Sequence, residues 1–197
     1  MSNYELRSMA RSQLKDRYWM VFVVTLIVTA ISGASYPLII GLIIVGPLTV
    51  GLSYYLLDMV ETNNKGDDFE LLIQGFKNSL ATSIVSNILV MIFIFLWSLL
   101  LIIPGIIKAL SYSMTPYIIA EHPDIDAMAA IDKSKEMMHG NKARLFFLYF
   151  SFLGWLILCA FTFGIGLFFL IPYVKMTVAN FYVDLRGKKK IIDAEYS

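Results

Sequence analysis

The chain has 197 residues, of which 58% are hydrophobic and only 16% are charged. Soluble domains average about 45–50% apolar and about 25% charged residues. The composition therefore excludes a soluble globular domain, a disordered chain and a small disulfide scaffold, and it favours an integral membrane protein. The net charge of +1 says little about the protein, whereas the positions of the charges are informative.

Three long blocks of the chain are almost free of charge. Residues 18–57 contain no charged side chain, residues 79–120 contain only Lys108, and residues 145–183 contain only Lys175. A bilayer core about 30 Å thick needs about 20 helical residues to cross, and each block is about twice that length. We therefore expect each block to be a hairpin of two helices, which gives an all-α fold with six transmembrane helices.

Turn residues within the blocks predict where these helices begin and end. The six helices are expected at about 18–35, 40–58, 79–98, 101–120, 144–161 and 167–185. Together with the segments between them they are expected to form a single membrane domain over residues 1–186. A basic cytoplasmic tail is expected at 187–197.

The charged segments predict the topology. The four segments around and between the blocks contain 14 of the 16 Lys and Arg residues and all 15 acidic residues. Two helices per block return the chain to the same side, and an excess of Lys and Arg marks the cytoplasmic side. Both termini are therefore expected in the cytoplasm. The first apolar run continues to Leu57, too far for a signal peptide, so we expect an uncleaved first helix.

An amphipathic stretch precedes each hairpin. The apolar positions are Leu6, Met9, Ala10 and Leu14, then Phe69, Leu72, Ile73 and Phe76, and then Ile125, Met128, Ala129 and Met138. Spacings of three and four residues place such side chains on one helical face. We expect three short helices, the third at about 124–139, that lie in the cytoplasmic membrane interface. The alternative is that they pack on the cytoplasmic ends of the bundle.

The sequence contains no recognisable catalytic or metal-binding motif. No zinc-protease, P-loop, dinucleotide-binding or nucleophile-elbow pattern occurs, and His122 and His139 are 17 residues apart. Asp124 and Asp126 are expected to begin a helix, whose first turn favours acids. Cys159, the single cysteine, is expected to be a buried, inert thiol. We therefore expect no enzyme and no cofactor.

Four polar residues inside the blocks are candidates for an intramembrane site. Lys108 and Lys175 each follow a proline by three or four residues, and a charge at mid-membrane costs about 2.5–3.5 kcal/mol. They either bind a ligand or ion, or extend their long side chains to the interface. Asn87 and Asn180 either join such a site or hold helices together.

Short motifs in the second and third blocks carry a family resemblance. They are Leu96-Trp97-Ser98-Leu99-Leu100, Ile103-Pro104-Gly105-Ile106-Ile107-Lys108, Tyr112-Ser113-Met114, Ala130-Ile131, Ser134-Lys135, Met138, Gly140-Asn141-Lys142, Phe146, Ser151-Phe152, Gly154-Trp155, Gly164-Ile165-Gly166 and Pro172-Tyr173. With these motifs the chain resembles, over about residues 1–186, a bacterial family of uncharacterised integral membrane proteins, the domain of unknown function 975 family. The resemblance implies a membrane fold and brings no established activity and no catalytic residues.

A second, weaker resemblance rests on the Ala130-Ile131 and Ser134 positions followed by Gly140-Asn141-Lys142. This stretch is similar to the membrane region found beside glycerophosphodiester phosphodiesterases. The catalytic domain of those enzymes is absent from the sequence.

These observations predict a multi-pass protein of the bacterial plasma membrane. We expect a non-enzymatic module that organises lipid or a partner membrane protein, and the alternative is a small transporter or transporter subunit. The expected partner is the bilayer, with anionic lipid at the basic tail, where Arg186, Lys188, Lys189 and Lys190 follow the last helix. Each such charge contributes about 1 kcal/mol near an anionic surface. Nucleic acid is not an expected partner, because no folded basic domain is present.

Overall fold

The structure is a computed structural model, and it describes residues 1–15, 17–35, 39–62, 68–161 and 165–195. These residues form α-helices joined by short turns, and no strand occurs among them. The predicted all-α fold is therefore confirmed.

The helices follow one another with few intervening residues. In chain order they are α1 (Asn3–Leu14), α2 (Tyr18–Ser35), α3 (Ile39–Thr62), α4 (Leu71–Lys77), α5 (Leu80–Leu100), α6 (Ile102–Tyr112), α7 (Thr115–Glu121), α8 (Ala127–Met137), α9 (Lys142–Phe150), α10 (Leu153–Phe161) and α11 (Ile165–Glu195).

Five helical segments of the described chain are long and apolar enough to cross a membrane. They are Ile43–Thr62, Leu80–Leu99, Ile102–Glu121, Lys142–Cys159 and Gly166–Gly187. A shorter apolar segment, Tyr18–Ser32, lies in α2. The predicted six-helix topology is compatible with these segments, and it stays a prediction.

The chain divides into two compact units. The terminal unit consists of Met1–Ile27, Leu56–Asp67 and Ala143–Ser197, and the central unit consists of Val28–Tyr55 and Asp68–Lys142. The single membrane domain over residues 1–186 stays a prediction, and the units are described separately below.

The first amphipathic stretch forms α1, as its spacing predicts. Ser2 and Glu5 close the helix start with a capping box, in which each side chain bonds the backbone N–H of the other residue. Leu6, Ala10 and Leu14 are buried. Met9, predicted on the same face, is instead 37% exposed, because the buried stripe of a short helix is narrower than the apolar pattern.

The second amphipathic stretch forms α4, which crosses α3 at very short range. A Cβ atom added at Gly75 would lie 2.1 Å from the carbonyl oxygen of Pro47. A Cβ atom at Gly51 would lie 2.0 Å from that of Leu72. The two glycines therefore let the helix backbones touch, as small residues do between membrane helices.

The third amphipathic stretch forms α8, two to three residues shorter at each end than predicted. Asp126 is the residue before the helix, and its carboxylate accepts a hydrogen bond from Met128 N at 2.9 Å. This confirms that Asp126 serves the helix start. Gly140 follows the helix with φ of 74°, a backbone conformation that glycine adopts without strain.

Two long helices differ from their predicted form. The predicted helix at 144–161 is divided at Ser151 and Phe152 into α9 and α10. The last helix, α11, continues through the predicted basic tail to Glu195 instead of ending near 185. Lys and Arg are good helix formers, so a basic run does not stop a helix.

The predicted helix at 101–120 is also divided, because Pro116 interrupts it between α6 and α7. A helical proline removes one backbone hydrogen bond and crowds the carbonyl group four residues earlier. The hydroxyl of Ser134 fills the gap: it donates to Ser111 O at 2.8 Å and accepts from Met114 N at 3.3 Å. Ser134 is fully buried, so α8 is fixed to the break by a hydrogen bond that water cannot replace.

Replacing Ser134 with Ala should lower the free energy of unfolding by about 1–3 kcal/mol, because a buried carbonyl and a buried N–H lose their partner. Urea unfolding of the purified protein in detergent micelles measures this. Ser151→Ala is the control, since Ser151 directly follows α9 and its hydroxyl donates locally to Leu148 O of that helix, at 2.6 Å. We expect the control to change stability by about 0.5 kcal/mol or less. Equal losses in both variants would show that the bridge to α8 is unimportant.

Candidate functional site

The four predicted polar residues divide evenly between the units. Asn87 on α5 and Lys108 on α6 belong to the central unit, whereas Lys175 and Asn180 on α11 belong to the terminal unit. The site shared by the two lysines stays a prediction.

Lys108 has an aromatic partner within its own hairpin. Its Nζ lies 4.4 Å from the centre of the Trp97 ring, across the turn between α5 and α6. Such a cation–π contact stabilises a charge by about 0.5–2 kcal/mol, depending on its desolvation. The contact offsets part of the cost of a cation in an apolar block, which supports a structural role for Lys108.

Asn180 connects α11 to α1. It is 2% exposed, and its Nδ2 donates to Gln13 Oε1 at 2.7 Å and to Met176 O at 3.0 Å. The contact supports the alternative that Asn180 holds helices together. Lys175, one turn earlier, has an exposed side chain.

Further contacts fix α1 in the terminal unit. The Tyr173 hydroxyl donates to the backbone oxygen of Arg7 at 3.2 Å. At the start of α9, Arg144 pairs with Asp184 of α11 at 2.7 Å and lies 4.9 Å from the centre of the Phe181 ring. Asn3 Nδ2 donates to Arg144 O at 3.5 Å. The first amphipathic helix is therefore packed on α11, which agrees with the alternative of a helix packed on the bundle.

A groove of about 1150 Å³ lies between α1 and the α10–α11 pair. One wall comes from α1, where Arg7, Arg11 and Lys15 line the groove. Residues four apart are neighbours on a helix surface, so this wall presents three cations in a row. Ser8 and Ser12 lie between them, so this wall is mostly polar.

The opposite wall is apolar and aromatic. Trp155 and Leu158 of α10 and Phe169 of α11 line it, with exposed fractions of 53%, 59% and 48%. Both helices belong to segments that are long and apolar enough to cross a membrane. The apolar surface of this wall is therefore open to an occupant of the groove.

The charge of the groove has no counter-charge in the described chain. No acidic side chain lines the groove. Among the described residues, Arg7, Arg11 and Lys15 form no ion pair, and the Arg7 Nε donates only to Asn3 O of its own helix, at 3.4 Å. An anionic group in the groove would meet three cations that no described carboxylate neutralises.

The groove is not among the sites predicted from the sequence. Arg7, Arg11 and Lys15 belong to the first charged segment, whose charges predict the topology, and their spacing of four residues is visible in the sequence. The apolar wall has no such signal, because Trp155 and Phe169 follow α1 by more than 140 residues and tertiary packing alone brings them there.

The described residues contain no group of three or more His, Cys, Asp or Glu that could hold a metal ion. Cys159 is buried, as predicted, and it lines the groove beside Leu158.

Residues 99–189 match the model of the family described as Protein of unknown function (DUF975). No curated protein and no solved structure matches the chain. The resemblance to glycerophosphodiester phosphodiesterase membrane regions therefore has no match to support it. The matched residues include the α6–α7 break, Ser134 and the apolar wall of the groove. Over residues 99–189 the chain is thus similar to the DUF975 family of proteins of unknown function.

Proposed function

We propose that this protein is a multi-pass protein of the bacterial plasma membrane and that it binds anionic phospholipid as a non-enzymatic membrane module. The proposal places both termini and the segments at 58–78 and 121–144 in the cytoplasm. It is supported by the five long apolar segments and by the concentration of Lys and Arg outside the charge-free blocks.

The groove of the terminal unit carries the proposal, because its two walls match the two ends of a phospholipid. Arg7, Arg11 and Lys15 form a cationic wall, and Trp155, Leu158 and Phe169 form an apolar one. A soluble anion would gain nothing from the apolar wall, and an uncharged apolar ligand would gain nothing from the three cations. A phosphate head group next to acyl chains uses both.

The charges predict a strong preference for anionic over zwitterionic lipid. A basic residue near an anionic lipid surface contributes about 1 kcal/mol, so three contribute about 3 kcal/mol. Because about 1.4 kcal/mol corresponds to a tenfold change in affinity, the expected preference is on the order of 100-fold at low salt. Screening reduces it at high ionic strength.

The groove and the basic tail make different predictions about lipid. Arg186, Lys188, Lys189 and Lys190 provide four positive charges, one more than the groove, and a tail attracts any anionic surface through charge alone. The groove adds an apolar wall, so it retains single lipid molecules through extraction in detergent.

The triple variant Arg7→Gln, Arg11→Gln, Lys15→Gln should retain anionic phospholipid at least tenfold less than the original protein. Native mass spectrometry of protein extracted from a defined mixture of phosphatidylglycerol and phosphatidylcholine measures the ratio of the two bound lipids. The reason is the loss of three cations that face the lipid phosphate.

Two controls locate the effect. The variant Lys188→Gln, Lys189→Gln, Lys190→Gln removes the same charge from the tail and should change the ratio by less than about twofold. Leu158→Gln should lower retention of both lipids and leave their ratio unchanged, because it alters only the apolar wall. If the tail variant loses anionic lipid and the groove variant keeps it, the groove is not the lipid site. If neither the original protein nor any of the variants retains lipid, the proposed function is wrong.

The topology is tested with single cysteines in a Cys159→Ser background. Asn141→Cys, in the charged segment after α8, should react with a membrane-impermeant maleimide only after the cells are permeabilised. Leu101→Cys, in the turn between α5 and α6, should react in intact cells, since Leu101 is 68% exposed and lies on the opposite face in the proposed topology. The reverse pattern would contradict the proposed orientation.

A further inference from the structure

A second cavity lies within the central unit, where α3, α5, α6 and α7 meet. Its volume is about 220 Å³, and none of its lining residues is an Asp, Glu, Lys, Arg or His. Gly46 brings α3 close to α5 here, since a Cβ atom at this position would lie 2.3 Å from Ser83 O. The cavity is separate from the groove, because all its lining residues belong to the central unit.

The lining of this cavity is rich in hydroxyl groups that act as hydrogen-bond acceptors. Thr49, Ser86 and Ser113 line it, and each hydroxyl donates its one hydrogen to a backbone oxygen three residues earlier, at 2.8, 3.2 and 2.7 Å. A hydroxyl oxygen keeps lone pairs after its hydrogen is used. These three groups can therefore accept hydrogen bonds from a ligand.

Two further groups in the lining have no partner among the described residues. Thr115 is only 4% exposed, and its Oγ1 is buried without a hydrogen bond. Asn87 Nδ2, which can donate two hydrogens, is likewise buried without a hydrogen-bond partner among the described residues. An unpaired polar group inside an apolar helix bundle costs free energy, so two of them in one cavity indicate that something else occupies their bonds.

We propose that this cavity binds a small uncharged polyol. Asn87 Nδ2 donates to one ligand oxygen, the Thr115 hydroxyl bonds a second, and the acceptor oxygens of Thr49, Ser86 and Ser113 receive the ligand hydroxyl hydrogens. A charged ligand does not fit, since the cavity offers no counter-charge and burying an unpaired ion is costly. The volume equals that of about seven liquid waters, which suits a molecule the size of glycerol.

The binding test uses glycerol as the probe and the full-length protein in lipid nanodiscs. Saturation-transfer difference NMR should detect magnetisation transfer from the protein to glycerol above the level of empty nanodiscs. Thr115→Val, which removes the hydroxyl and keeps the shape, should reduce that transfer at least fivefold. Thr177→Val is the matched control, because Thr177 is fully buried in the terminal unit and its hydroxyl donates to Tyr173 O at 2.7 Å. It should leave the transfer unchanged.

Thermal unfolding gives a second, independent measurement. In buffer without glycerol, Thr115→Val should be at least as stable as the original protein, because it removes an unpaired polar group. Addition of glycerol should raise the melting temperature of the original protein more than that of Thr115→Val, since a ligand stabilises only the form that binds it. The general solvent effect of glycerol is the same for both proteins and cancels in the difference.

Each contrary outcome rejects the proposal. No transfer to glycerol in the original protein would mean that the cavity holds water only. Transfer that survives in Thr115→Val would mean that glycerol binds elsewhere. A clear loss of stability in Thr115→Val without glycerol would mean that its hydroxyl bonds the protein, and the cavity would then lack the unpaired group on which the proposal depends.

Discussion

A backbone polar group inside an apolar helix bundle must find its partner in the protein, because no water is available to it. The break before Pro116 is the place where this constraint acts most clearly. One buried hydroxyl, that of Ser134, bonds both a carbonyl on α6 and an N–H just before α7. The amphipathic helix α8 thereby acquires a fixed position against α5, α6 and α7. The motif residues Ala130, Ile131 and Met138 are also fully buried, so this part of the motif describes a packing face.

The charge pattern predicted the helices well and their interruptions poorly. The predicted helix at 18–35 agrees with α2, Tyr18–Ser35, because a membrane helix starts where the charges stop. The breaks at Ser113–Met114 and Ser151–Phe152 lie inside runs without charged side chains, so the charge pattern gives no signal for them, although Pro116 marks the first. At the first of them, the partner that stabilises the break is Ser134, twenty residues further along the chain.

The sequence indicates the cationic wall of the candidate groove but not the apolar wall. The cations at Arg7, Arg11 and Lys15 have a helical spacing that a reader can find, and the amphipathic pattern predicted α1 itself. Their apolar neighbours Trp155 and Phe169 come from helices near the other end of the chain. The local sequence pattern thus predicts which face of a helix is charged. Only the packing of α1 on α11 determines which residues lie opposite that face.

The two asparagines of the apolar blocks, Asn87 and Asn180, show why a polar residue in such a block is an ambiguous signal. Asn180 Nδ2 donates to Gln13 Oε1 of α1 at 2.7 Å and to Met176 O at 3.0 Å, so its amide nitrogen is paired by contacts within the fold, whereas its buried Oδ1 has no partner among the described residues. Asn87 Nδ2 has no partner among the described residues and faces a cavity with Thr115, which is unpaired as well. The sequence alone does not distinguish the two residues. The amide nitrogen of Asn180 is paired within the fold. That of Asn87 is not, and a cavity whose walls combine unpaired donors with available acceptors is where a ligand would supply the missing bonds.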